Sequence, residues 1–226
     1  MPQRPRFARS PAGLGFALAI ALALGVAAPA TLGEEWSLPD ARMGVRTAPI
    51  LLLTRADVQA DLGLDEVKIA SARKAVDALT DRAQSLRGKT GAAVVDERRA
   101  IDEAQAQWLR TNLSDEQLTR LSQIDIQWEG PSALVSRPVI AETLALTPTQ
   151  LRALTKIIAE RNAKLAQGPA TPAEESEVRR KTMAVLSNAQ LGAWNAMVGE
   201  HCRFVIAPTP TQADPAVRQA GHEPSR

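Results

Sequence analysis

Leu113-Ser114-Asp115-Glu116-Gln117-Leu118 is the stretch on which the reading of this chain turns. It is a helix start. With Ser114 as N-cap, its hydroxyl accepts from the amide of Gln117, and the Gln117 side chain reaches back to the cap amide. Leu113 before the cap and Leu118 four positions inside have the spacing of a hydrophobic staple. The pattern recurs at Leu146-Thr147-Pro148-Thr149-Gln150-Leu151 and at Leu186-Ser187-Asn188-Ala189-Gln190-Leu191. Pro148 suits a first helical position, where its fixed φ helps and its missing amide costs nothing. Thr171-Pro172-Ala173-Glu174 is a further box without the staple.

Working outward, the helix starts fall into two copies of one plan. Leu53-Thr54-Arg55-Ala56-Asp57-Val58 precedes Leu64-Asp65-Glu66-Val67-Lys68-Ile69, and 82 positions later Val135-Ser136-Arg137-Pro138-Val139-Ile140 precedes the Leu146 start. The Leu113 and Leu186 starts are 73 apart, and the nine-residue difference falls in loops around 88–95 and 167–173. Constant helix starts with a variable loop are what a duplicated unit should show. Behind the starts, Ile69, Ala72, Val76, Leu79, Ala83 and Leu86 follow a 3,4,3,4,3 spacing, the seam of an amphipathic helix. The duplicate seam is Leu151, Leu154, Ile158, Arg161 and Leu165. Leu118, Leu121, Ile124 and Trp128 line a further face, with Leu191, Trp194 and Met197 as its counterpart; a helix runs from about Asp96 to Asn112. No strand alternation is present. The expected fold is all-α: two tandem helical-hairpin units, each a short helix, a long helix, a second long helix and a closing helix, in a curved bundle. Residues 31–50 read as an irregular lead-in, 51–130 as unit 1, 131–206 as unit 2 and 207–226 as a Pro-rich disordered tail.

Residues 1–30 read as a secretory signal peptide. Arg4, Arg6 and Arg9 precede an uncharged run from Ala12 to Ala28, and Ala28-Pro29-Ala30 offers small residues for cleavage. An uncleaved anchor is the alternative, although the run is short for a spanning helix. The expected location is periplasmic or secreted, with no stable membrane insertion after cleavage. The 226-residue chain carries 27 basic and 25 acidic residues, but three of the basic ones lie in the signal. The basic balance is therefore no argument for a nucleic-acid partner. Residues 51–130 hold 11 basic and 14 acidic residues, a net of −3; residues 131–206 hold 9 and 6, a net of +3. Such charges would guide docking of one unit on the other, or simply decorate solvated faces.

L-[ST]-x-x-Q at helix starts, three times behind an export signal, resembles the LTxxQ-motif periplasmic family that includes Spy and CpxP. The matches are Leu113/Ser114/Gln117, Leu146/Thr147/Gln150 and Leu186/Ser187/Gln190; the fourth start, Leu64/Asp65/Lys68, departs at the Gln. The likeness covers residues 51–204 in a tandem, two-unit form. It implies a curved helical-hairpin fold and a protein that binds unfolding or partner proteins in the envelope without ATP. The alternatives, ranked behind it, are a stress sensor or adaptor that docks on one partner, or a scaffold without clients. Small members are dimeric; here a homodimer or an intramolecular pseudo-dimer would fill that role. The nine motif residues are read as structural.

The remaining residues point away from chemistry. One Cys excludes a disulfide framework and a Cys-based zinc module, and the absence of Tyr with only three Phe argues against an aromatic base-stacking platform. His201-Cys202 lacks further ligands and reads as a semi-buried thiol at the end of the last helix. Asp96-Glu97 and Asp102-Glu103 sit beside Arg98-Arg99 and read as a solvated face. No Ser/His/Asp order, phosphate loop or zinc-helix motif is present. No enzyme, cofactor or metal is expected. A client surface would be a shallow apolar concavity rimmed by arginine, with Arg73, Arg82, Arg152 and Arg161 on the long helices as candidates.

Overall fold

The computed structural model describes residues 36–168 and 170–206. The expected signal (1–30) and tail (207–226) lie outside the described residues. Within these limits the chain is all-α, with no strand. The first half holds α1 (Pro49–Leu52), α2 (Ala56–Asp61), α3 (Glu66–Ser85), α4 (Ala92–Asn112) and α5 (Asp115–Glu129). After a 3₁₀ turn over Gly130–Ser132, the second holds α6 (Ala133–Ser136), α7 (Pro138–Thr143), α8 (Pro148–Leu165), α9 (Pro172–Met183) and α10 (Asn188–Val198). Among the described residues, no helix is long and apolar enough to cross a membrane.

Local chemistry explains the boundaries. All three L-[ST]-x-x-Q starts form closed capping boxes, as does Thr171 with Glu174. Asp65 caps α3 by accepting from the Lys68 amide at 2.8 Å. Each such cap contributes about 1 kcal/mol. The turns before the Leu64 and Leu146 starts share one geometry. Leu64 N bonds Gln59 O and Gly63 N bonds Ala60 O; Leu146 N bonds Ala141 O and Ala145 N bonds Glu142 O. These are paired closures of helix ends through one left-handed residue. Gly63 takes that position at φ +59°, whereas its duplicate Ala145 must hold φ +47° with a Cβ.

The long helices pack in pairs, α3 along α4 and α8 along α9. The seam on α3 is buried at Ala72 and Val76, but Ala83 near its far end is exposed. Two apolar clusters result. One gathers Ile50, Leu52, Val58, Val76, Leu121, Ile124 and Trp128. The other gathers Ile126, Leu134, Ile140, Leu154, Trp194 and Val198. They do not divide at residue 130, because α5 feeds Ile124 to one and Ile126 to the other. The described residues all belong to one compact unit.

Two non-helical segments are integral to this packing, the lead-in and the end of the expected helical unit 2. The lead-in buries Leu38 and Thr47, forms a 3₁₀ turn at Asp40–Arg42 and donates from Gly44 N to Trp128 O at 2.7 Å. Residues 199–206 leave α10 through Gly199 (φ +66°) and run extended along the first half, placing Cys202 and Phe204 in its cluster. Cys202 therefore lies beyond the last helix, not at its end.

Candidate functional site

The motif glutamines brace one helix start against another. Gln150 Oε1 accepts from Thr147 N at 3.0 Å, and Gln190 Oε1 accepts from Ser187 N at 2.9 Å. Their Nε2 groups leave their own helices: Gln150 donates to Val185 O at 2.9 Å and Gln190 to Leu144 O at 3.1 Å. The two amides also pair, at 2.7 and 3.2 Å. In the first half Gln117 Oε1 accepts from Ser114 N, and its Nε2 donates to Leu62 O at 2.9 Å. Lys68, which replaces the fourth glutamine, donates through Nζ to Gln117 Oε1 at 3.1 Å. The departure from the pattern thus keeps both cap and brace. Every polar atom of these glutamines is engaged within the fold, as a structural role requires. Leu113, Leu146 and Leu186 are buried beside them.

The four candidate arginines do not converge. Arg73 is exposed, with its guanidinium carbon 5.2 Å from the centre of the Trp36 ring. Arg152 is exposed and donates to Thr149 Oγ1. Arg82 pairs with Glu97 at 2.8 Å on α4. Arg161 departs from the expectation outright: it is 8% exposed, 2.9 Å from Glu175, and packed so closely on Gly44 that a Cβ there would lie 2.3 Å from Nη2. It replaces the seam's Leu79 because the guanidinium finds Glu175 on α9 and its stem packs in the seam. Arg161 also lines a cavity of ≈ 260 Å³ between α8 and α9, with Ile157 and Val178.

Two other arginines, absent from the expected set, carry the buried electrostatics. Arg55 is 5% exposed. It holds both Asp57 carboxylate oxygens at 3.0 and 2.6 Å, Asp40 Oδ1 at 2.6 Å and Leu38 O at 3.0 Å. Its guanidinium carbon lies 5.0 Å from the centre of the Trp128 ring. Arg137, 82 positions later, holds Asp125 at 2.6 Å and Glu129 at 2.5 Å. Ser136 donates to the other Glu129 oxygen, and Arg46 donates to Ser136 O. Asp125 Oδ1 is buried with no hydrogen-bond partner among the described residues. Burial, opposed by Arg137, raises the Asp125 carboxyl above its usual range. The signal was in the sequence: both arginines occupy the third position of the matched hexamers, after Thr54 and Ser136. These clusters clamp elements together.

An open groove of ≈ 790 Å³ lies where α5, α7 and α10 meet. Leu118, Ile126, Val139, Ile140 and Met197 line it, with Arg46 and Arg137 at the same wall. Ile126 and Ile140 are buried floor, whereas Val139 is 72% exposed. Thr119, Ser122, Gln123 and Thr143 complete a lining of mixed polarity, and none of the four candidate arginines belongs to it.

Among the described residues, no three His, Cys, Asp or Glu side chains gather as a metal site needs. His201 points to solvent and Cys202 is buried. Burial and the nearby Asp61 and Asp57 push the Cys202 thiol up to about 12, so it stays protonated near neutral pH. No protein-family model, curated protein or solved structure matches the chain.

Proposed function

We propose that this chain is an exported, periplasmic binder of unfolding polypeptides that works without covalent chemistry and without nucleotide. The observation that carries the reading is the α5–α7–α10 groove. It offers open surface of mixed character beside the Arg46 guanidinium, with Arg137 already held by Asp125 and Glu129, a combination suited to the mixed apolar and carbonyl-rich surface of an unfolded chain. The export pattern of residues 1–30 and the motif likeness support the same reading. A dedicated sensor or adaptor would present instead a surface fitted to one partner, and the test separates the two.

The test is suppression of aggregation of two unrelated unfolding proteins, without ATP, by the wild-type chain and by Val139→Asp. Val139 is exposed, so the substitution leaves the core intact. Wild type is expected to protect both at near-stoichiometric ratio. Val139→Asp is expected to lose most of that protection at unchanged helicity and Tm. Protection of neither client by the wild type would overturn the reading in favour of a single dedicated partner. Full protection by Val139→Asp would remove the groove from it.

A further inference from the structure

Beyond the bend at Glu200, residues 201–206 show how this fold holds a non-helical stretch of polypeptide. Their side chains alternate: His201, Arg203 and Val205 face solvent, Cys202 and Phe204 face the protein. What grips them is directed at main chain. Arg120 Nη1 donates to Glu200 O at 2.6 Å. Gln127 Nε2 donates to the same oxygen at 2.7 Å and to Val198 O at 2.8 Å, while its Oε1 accepts from Cys202 N at 2.7 Å. Arg55 Nη2 donates to Val205 O at 3.0 Å, and Asp57 Oδ2 accepts from Val205 N at 2.8 Å. Main-chain groups are common to every sequence, so such a grip does not depend on which residues are held. One side chain adds selectivity. Phe204 lies edge-to-face on Trp128 at 5.3 Å, with Arg55 5.9 Å from the Phe204 ring centre.

We propose that the α2–α5 face bearing Arg55, Asp57, Arg120, Gln127 and Trp128 is a binding site for extended polypeptide with an aromatic anchor. Residues 200–206 occupy it in cis as a built-in competitor. This rests on the reading of the chain as a polypeptide binder and adds a second surface to it, one latched by its own chain. A tethered occupant competes at an effective concentration of order millimolar, so a free segment binds only when it outcompetes the latch.

The experiment measures anisotropy of a labelled peptide matching residues 199–206 and carrying Cys202→Ser, titrated with the full chain. Three chains are compared: wild type, Phe204→Ala, which removes the anchor, and Val205→Pro. The last removes the amide that donates to Asp57 while changing only an exposed side chain, so it retains the core even if Phe204→Ala does not. Both variants are expected to bind the peptide roughly tenfold or more tighter than wild type. A peptide with scrambled flanks but Phe in place should bind comparably, and one with Phe204→Ala roughly tenfold more weakly. Absence of peptide binding by a Val205→Pro chain that keeps its helicity overturns the proposal, as does equal binding by all three chains. If peptide binding fails while wild type still suppresses aggregation, the polypeptide-binding reading stands and the latch alone falls.

Discussion

At the scale of single residues, the glutamines of the repeated motif do two things at once. A lone capping box would make Gln190→Ala cost about 0.5–1.5 kcal/mol. The pairing of Gln150 with Gln190 adds bonds that neither helix makes alone, to Val185 O and Leu144 O. Each single alanine substitution is therefore expected to cost about 1–3 kcal/mol, since a half-buried carbonyl also loses its donor. The double variant should cost less than the sum, by about 0.5–1.5 kcal/mol. Urea denaturation of the four chains of the cycle measures this. Strict additivity would mean that the amide pair contributes nothing. The caps were legible in sequence because they are local, set by residues three apart. The braces were not, because nothing in the sequence says which helix start lies beside which. Lys68 shows the same limit: it reads as a break in the pattern, and only its placement against Gln117 shows it is a substitute.

At the scale of elements, the clamps are buried ion clusters seated on the short helices. Arg137 faces two carboxylates of α5, and burial, which Arg137 offsets only in part and the Glu129 charge reinforces, holds the Asp125 carboxyl above its usual range. The sign for stability follows. A group whose folded pKa exceeds its unfolded value binds its proton more tightly in the native chain. Its stabilising contribution is complete below the unfolded pKa, about 3.9, and is lost as pH rises through the raised folded value. Asp125→Asn, which keeps an acceptor for Arg137 and cannot ionise, should therefore gain Tm relative to wild type as pH rises from about 3.5 to 7. Asp61 is the internal control. Its hydrogen bond from Arg120 lowers its carboxyl pKa, so its contribution is present above the unfolded value and lost as pH falls through the folded one. Asp61→Asn should lose Tm relative to wild type over the same rise. Parallel profiles for the two variants would show that the Asp125 cluster is not held as described. The helical character and the helix starts were legible from caps and seams. The arginine clamps were visible only as matching letters, since each draws its acids from a different place: Arg55 from the lead-in and α2, Arg137 from α5.

At the scale of the whole molecule, the opposite net charges of the halves fit either electrostatic docking or decoration of solvated faces. Among the described residues, the ion pairs that join the two halves are those of Arg137 with Asp125 and Glu129; the others lie within a half. Apolar packing and shared segments do the joining. Helix α5 feeds both clusters, the lead-in crosses to Arg161, and residues 199–206 return from the end of the second half to the core of the first. Such interleaving couples the stabilities of the halves, as expected of a small domain that unfolds all at once. The coupling is measurable with a reporter in one half and a lesion in the other. In a Trp194→Phe chain the remaining tryptophans, Trp36, Trp108 and Trp128, all belong to the first half. Leu154 is fully buried in the second cluster, and Leu154→Ala on that background should cost about 2–5 kcal/mol. The urea transition followed by tryptophan fluorescence should shift by that full amount and coincide with the transition followed by far-UV circular dichroism. A fluorescence midpoint unmoved by Leu154→Ala, with a split dichroism curve, would mean the halves fold separately. The crossing segments would then be attachments laid over two finished units, and the latch formed by residues 199–206 could open without loosening the core beneath it.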